Sequence, residues 1–204
     1  MPARFEICYI TDRNGLPDKP LSAFVSKAVE AGIDLIQIRE KNLGVRALLL
    51  LAERAVAAAQ GGTSRVVIND RLDVALASAA SGIHLGRHSL PAEMVRRITP
   101  PAFRIGVSCH SYAECLTAEE AGADYVLLGP IFETPSKIAY GPPLGPEVLH
   151  QTASHLNIPV LAVGGITLER AHRCREAGAA GIAGIRIFQE APSIQRCVQE
   201  LRLL

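Results

Sequence analysis

Eight short apolar runs, alternating with stretches of helical spacing, constrain the fold of this chain more than any other feature. The runs are Phe5–Ile10, Ile33–Ile38, Arg65–Ile68, Gly82–Leu85, Arg104–Val107, Tyr125–Leu128, Pro159–Val163 and Gly181–Ile185. They show little polar alternation, as expected of strands buried on both faces. The helical stretches are Leu21–Ala31, Val45–Ala59, Leu72–Ala79, Ala92–Ile98, Tyr112–Ala121, Gly145–His155, Leu168–Ala177 and Pro192–Leu203. Strands separated by helices form parallel βαβ units, and eight such units in 204 residues fit a (β/α)8 TIM barrel of minimal size. The competing open doubly wound sheet would carry a GxGxxG turn after its first strand. Thr11-Asp12-Arg13-Asn14-Gly15 is not such a turn.

The phrases Glu30-Ala31-Gly32, Glu120-Ala121-Gly122 and Glu176-Ala177-Gly178 each stand between a helical stretch and a strand. Each reads as a helix stopped by a left-handed glycine, placed at the end of the barrel opposite the active site. The length suits one domain, 1–204, with one core. With 21 basic and 20 acidic residues spread along the chain, no run forms a nucleic-acid or membrane patch. The five cysteines contain no CxxC pair, which disfavours both a zinc ribbon and a disulfide scaffold. Without a signal-peptide pattern or a bilayer-length apolar run, the expected setting is the cytoplasm.

In such barrels the residues just past each strand carry the chemistry. After the second strand, alternation puts Gln37, Arg39 and Lys41 on one face, either as an anion grip or as a solvated charge cluster, with Ile38 and Glu40 facing the other way. After the third come Asn69 and Asp70, where Asp70 is open to two readings, helix N-cap or metal ligand. After the fifth come Ser108, Cys109 and His110. Adjacent side chains on a strand point apart, so a Cys/His nucleophilic unit is disfavoured and His110 acts singly, in proton transfer or as a hydrogen-bond donor. After the sixth, a long Gly/Pro-rich loop offers Thr134, Ser136 and Lys137. Gly164-Gly165 after the seventh strand and Ile185-Arg186 after the eighth are the usual phosphate cradle. Small phosphorylated molecules are the expected partners, and pairing into a homodimer is common in such barrels.

The ordered set Gln37-Ile38-Arg39-Glu40-Lys41, Ile68-Asn69-Asp70-Arg71, Gly82-Ile83-His84-Leu85-Gly86, Gly106-Val107-Ser108, Gly129-Pro130-Ile131-Phe132 and Gly164-Gly165-Ile166-Thr167 resembles the thiamine phosphate synthase and thiazole tautomerase superfamily. The resemblance implies a synthase in which a pyrimidine methyl diphosphate loses diphosphate with Mg2+ assistance and a thiazole phosphate nitrogen captures the cation. It implies that Gln37 meets the pyrimidine, that Arg39, Lys41, Asn69 and Lys137 hold the diphosphate, and that Asp70 binds Mg2+. Thr134, Ser136, Gly165, Ile185 and Arg186 would receive the thiazole phosphate, and Ser108 and Cys109 would line the substrate site. Two positions depart from the family pattern. Ser89 stands where the second acidic metal ligand is usual, and Ile185-Arg186 where Val-Ser is common. The alternatives that these departures leave are a tautomerase using His110 and a barrel that binds thiazole or thiamine phosphate without turnover.

Overall fold

The computed structural model describes residues 4–16, 20–134 and 142–204. Its eight strands are β1 (Glu6–Ile10), β2 (Leu35–Ile38), β3 (Arg65–Asn69), β4 (Gly82–Leu85), β5 (Arg104–Cys109), β6 (Tyr125–Leu128), β7 (Val160–Val163) and β8 (Gly181–Gly184). Each pairs in parallel with the next, and β1 pairs with β8 in the register Glu6↔Gly181 to Tyr9↔Gly184, so the sheet closes into a barrel. The TIM barrel expected from the alternation is the fold observed.

The helices are α1 (Leu21–Glu30), α2 (Val45–Ala59), α3 (Leu72–Ala77), α4 (Ala92–Ile98), α5 (Tyr112–Glu120), α6 (Gly145–His155), α7 (Leu168–Glu176), α8 (Arg186–Gln189) and α9 (Ile194–Arg202). Gly32, Gly122 and Gly178 close α1, α5 and α7 at φ of 83°, 83° and 89°, the αβ joints read from the sequence. One element departs from that reading. The expected eighth strand stops at Gly184, and Arg186 opens the short helix α8 before the barrel helix α9.

Strand alternation divides the core in two. Ile7, Tyr9, Ile36, Ile38, Ile68, Ile105 and Val126 belong to the layer under the helices. Cys8, Ile10, Leu35, Val67, Tyr125, Leu127, Leu161 and Ala183 fill the barrel itself. The barrel interior also contains a polar column. Glu6 takes two hydrogen bonds from Arg104, at 2.7 and 3.0 Å. The Arg104 guanidinium lies 5.0 Å from the centre of the Tyr125 ring, a cation–π contact. The Tyr125 hydroxyl is 3.2 Å from His84 Nδ1, and His84 Nε2 is 2.8 Å from Ser108 Oγ. Gly106 makes room for this column, because a Cβ there would sit 2.1 Å from Cζ of Tyr125.

Burial, reinforced by the charge of Arg39, holds the His84 pKa down at about 3. The folded protein therefore contains a neutral imidazole, whereas an unfolded histidine titrates near ~6.5. Between these values the unfolded state binds one more proton than the folded one. This contribution is complete above about pH 6.5 and is lost at roughly 1.4 kcal/mol per unit as pH falls toward the folded value. Denaturant titrations from pH 7 to 4 should accordingly show a steeper acid loss in wild type than in His84→Gln.

Candidate active site

A cavity of about 390 Å3 opens at the C-terminal ends of the strands. Gln37 and Arg39 reach it from β2 and its following turn, Asn69 from β3, and Ser108 and His110 from β5 and the turn beyond it. Thr134, Gly164, Gly165, Ile185 and Arg186 line its other side. Sequence reasoning thus places most of its candidates on one cavity.

Gln37 is 2% exposed and its Nε2 donates to Asn69 Oδ1 at 2.9 Å. Its Oε1 has no hydrogen-bond partner and is the one such buried side-chain atom among the described residues. A buried amide oxygen without a donor costs free energy until a ligand supplies one. Behind it, Thr11 Oγ1 donates to Glu40 Oε1 at 2.7 Å and accepts the Arg39 N–H at 2.9 Å. Glu40 also accepts from the Arg13 backbone N–H at 3.2 Å. A buried carboxylate thereby ties the loop after β1 to the turn after β2 and fixes the start of Arg39.

The opposite wall is made by the loops after β6 and β7. The Ile131 N–H donates to the Val163 carbonyl at 2.9 Å and the Phe132 N–H to the Gly164 carbonyl at 3.1 Å. Gly164 and Gly165 have φ of 96° and 66°, and a Cβ would lie 2.6 Å from Cα of Pro130 and 2.5 Å from the Glu133 carbonyl. Here glycine is required both by backbone conformation and by the close approach of the two loops. Arg186 opens α8 and donates across the mouth to Thr134 Oγ1 at 3.0 Å, so the guanidinium turns toward the cavity.

The remaining candidates differ in their placement. Lys41 is exposed and does not border the cavity, because β2 ends at Ile38 and the strand alternation that aligned Lys41 with Arg39 does not continue. Cys109 borders the cavity, but it is 1% exposed and packs in the helix-side core. Its hydrogen bond with Cys115, with burial, pushes the thiol pKa up, which removes it as a ligand-facing thiolate. His110 is 3.5 Å from Glu114 Oε2 through its Nδ1. Asp70 is exposed and left-handed at φ 67°. Arg71, not Asp70, occupies the N-cap of α3, and α3 has no side-chain cap, so the capping reading is wrong. Ser136 and Lys137 fall outside the described residues. The sequence reading missed Asp12, which lines the cavity. Its place just past β1 was the available signal.

The donor set tests the expected metal. Among the described residues no group of three or more His, Cys, Asp or Glu is placed to hold one. Ser89 Oγ accepts the Gly86 N–H at 2.8 Å. Asp70 alone fits an ion that arrives on a phosphorylated ligand, which is how Mg2+ is often held, with one carboxylate, waters and phosphate oxygens. It does not make a resident site.

A closed (β/α)8 barrel with a polar cavity at the strand C-termini defines the class, a TIM-barrel enzyme. The chain belongs to the thiamine monophosphate synthase family, whose model matches residues 7–188. Thiamine-phosphate synthase of Roseiflexus sp. (strain RS-1) is 40% identical over 192 residues, 94% of this chain and 81% of that protein. The thiamine-phosphate synthase of Chlorobium phaeovibrioides is 41% identical, covering 94% of this chain and 90% of its own. The structure of thiamine phosphate pyrophosphorylase from Pyrococcus furiosus aligns with a TM-score of 0.87 at 33% identity, over 98% of this chain and 94% of that one.

The support behind Arg39 is open to test. Thr11→Val preserves shape but leaves the Arg39 N–H and the Glu40 carboxylate each short of a partner. Such losses cost about 1–3 kcal/mol per buried group, and equilibrium urea unfolding should register a decrease in that range.

Proposed function

We propose that this chain is a transferase of thiamine biosynthesis that joins a pyrimidine methyl diphosphate to a thiazole phosphate and releases diphosphate. The observation that carries this reading is the unpartnered Gln37 Oε1, buried in the wall of the cavity that Arg39 and Asn69 also line. An acceptor so placed suits the amino group of a flat heterocycle, with cationic and amide donors next to it for the attached diphosphate. Relatives named thiamine-phosphate synthases at about 40% identity support the same assignment.

In the reaction the carbon–oxygen bond to diphosphate breaks, the leaving group keeps the electron pair, and the thiazole nitrogen forms the new carbon–nitrogen bond. The need is to stabilise charge on the leaving oxygens, with no protein nucleophile. Arg39 supplies a cation there. Asn69 has its oxygen engaged by Gln37, which leaves its NH2 to donate to phosphate oxygens. Lys41 and Lys137 are the further candidates for this end. Mg2+, held by Asp70 and the diphosphate, would neutralise charge on the leaving group when bound.

The thiazole phosphate is assigned to the opposite wall. The backbone of Gly164 and Gly165, the start of α8 at Ile185-Arg186, and Thr134 form its cradle, and Ser136 is a further candidate. Arg186 is a forked donor suited to phosphate in place of a small hydroxyl residue. Five cysteines without a disulfide among them support a reducing, cytoplasmic setting.

Incubation of the purified protein with both substrates and Mg2+ should yield thiamine phosphate and diphosphate in equal amounts, and absence of both products would refute the assignment. Arg186→Ala should raise KM for thiazole phosphate by about 10- to 100-fold, the size of a charge-assisted hydrogen bond, and leave KM for the diphosphate substrate nearly unchanged. Steady-state kinetics with each substrate varied in turn separates the two.

A further inference from the structure

The column inside the barrel reaches the cavity through one residue, Ser108, and the chemistry beneath it determines what its hydroxyl offers to a ligand. We infer that His84 is a positioning residue that locks Ser108 as a hydrogen-bond donor, directed at an acceptor atom on the ligand's ring. The ligand is the pyrimidine of the proposed reaction, so the inference rests on that reading for the ring's identity.

The number of protons available fixes the polarity of the column. His84 is 1% exposed and lies between two hydroxyls, Tyr125 at 3.2 Å from Nδ1 and Ser108 at 2.8 Å from Nε2. A neutral imidazole has one N–H and one bare nitrogen. Tyr125 is 0% exposed, and His84 Nδ1 is the one side-chain partner its hydroxyl has among the described residues. If Nδ1 carried the proton, the phenol would accept it and its own O–H would be buried without an acceptor, a loss of the costly kind. The phenol therefore donates to a bare Nδ1. The imidazole proton then sits on Nε2 and donates to Ser108 Oγ. With its oxygen engaged in this way, the Ser108 hydroxyl hydrogen is free to point into the cavity, where Ser108 is part of the wall.

The surroundings hold this arrangement in place. Arg104 lies 5.0 Å from the Tyr125 ring centre and is itself pinned by Glu6. Gly106 leaves the space that the Tyr125 ring fills, where a Cβ would lie 2.3 Å from the phenol oxygen. The result is a one-way series of donors, from Tyr125 to His84 to Ser108 to the ligand. A ring nitrogen bearing a lone pair satisfies the last step, and a C–H or N–H at that place does not.

Two measurements test this. In the ligand-free protein, nitrogen-15 NMR of the His84 ring should show Nδ1 bare and Nε2 protonated, and in Tyr125→Phe this preference should weaken. Kinetics then compare the pyrimidine diphosphate with the two pyridine analogues in which one ring nitrogen is replaced by C–H. Wild type should disfavour one analogue by about tenfold in kcat/KM, roughly one hydrogen bond. Ser108→Ala should abolish that discrimination and Tyr125→Phe reduce it, whereas a purely structural role would lower both substrates alike and leave their ratio intact. A protonated Nδ1, or an unchanged ratio in Ser108→Ala, overturns the inference. The NMR arm needs no substrate, so its failure leaves the proposed reaction standing. Absence of turnover with the predicted tautomer intact would count against the reaction and not against the polarity of the column.

Discussion

Closure of the sheet by the pairing of β1 with β8 is the constraint on which the rest depends. It brings the two ends of the strand sequence together and forces side chains of alternating parity into an enclosed interior. There is little space inside an eight-stranded barrel. Large groups are admitted only where partners are small, and Gly82, Gly106 and Gly181 serve that need. A Cβ at Gly82 or Gly181 would lie 2.0 or 2.1 Å from a neighbouring carbonyl oxygen, and one at Gly106 would meet the Tyr125 ring. The polar column from Glu6 to Ser108 exists because those positions are empty. It is tolerable in a low-dielectric interior because its members have partners.

That closure also explains what was legible in the sequence. Strands buried on both faces leave continuous apolar runs, so their number and order could be read, and Gly32, Gly122 and Gly178 marked the ends of the helices before them. Candidate residues at strand ends followed from the position of the active face. Contacts made across the barrel had no local signature. Glu6 and Arg104 are 98 residues apart, and Tyr125 stands 41 from His84. Nothing near any one of them in sequence announces the others. Lys41 was misplaced for a related reason, since strand periodicity holds only while the strand lasts, and β2 ends three residues earlier. The four-residue helix α8 is too short for periodicity to detect. Asp70 resembled a cap from its neighbours, and only the backbone shows its left-handed φ of 67°, a conformation that L-residues adopt at a cost and that clusters at functional sites.

The two walls of the mouth are held by different means. On the β2 side a buried carboxylate, Glu40, gathers a hydroxyl and a backbone N–H and so aligns Arg39. On the β7 side backbone carbonyls and N–H groups of two loops interlock around paired glycines. Arg170 and Arg173 lie 5.0 and 5.2 Å from the centre of the Phe132 ring, and Arg170 also donates to the Gly165 carbonyl at 2.7 Å. Helix α7 thus fastens both loops from outside the cavity. Rigid supports of this kind let a site made largely of loop residues keep its geometry.

Between the walls the floor is apolar. Ile10, Leu127, Val163, Ala183 and Ile185 border the cavity between its polar margins. In the proposed reaction the cation left on the pyrimidine methyl carbon must meet the thiazole nitrogen before it meets water, and the aliphatic side chains of the floor give water no hydrogen bonds there. The same floor explains why the interior column ends in an uncharged group. A protonated His84 would place a positive charge beneath an apolar surface and beside Arg39. Burial prevents that by holding the imidazole neutral. Positive charge bordering the cavity is thereby confined to its margins, where phosphate oxygens are expected, and the centre is left to shape and to a single oriented hydroxyl.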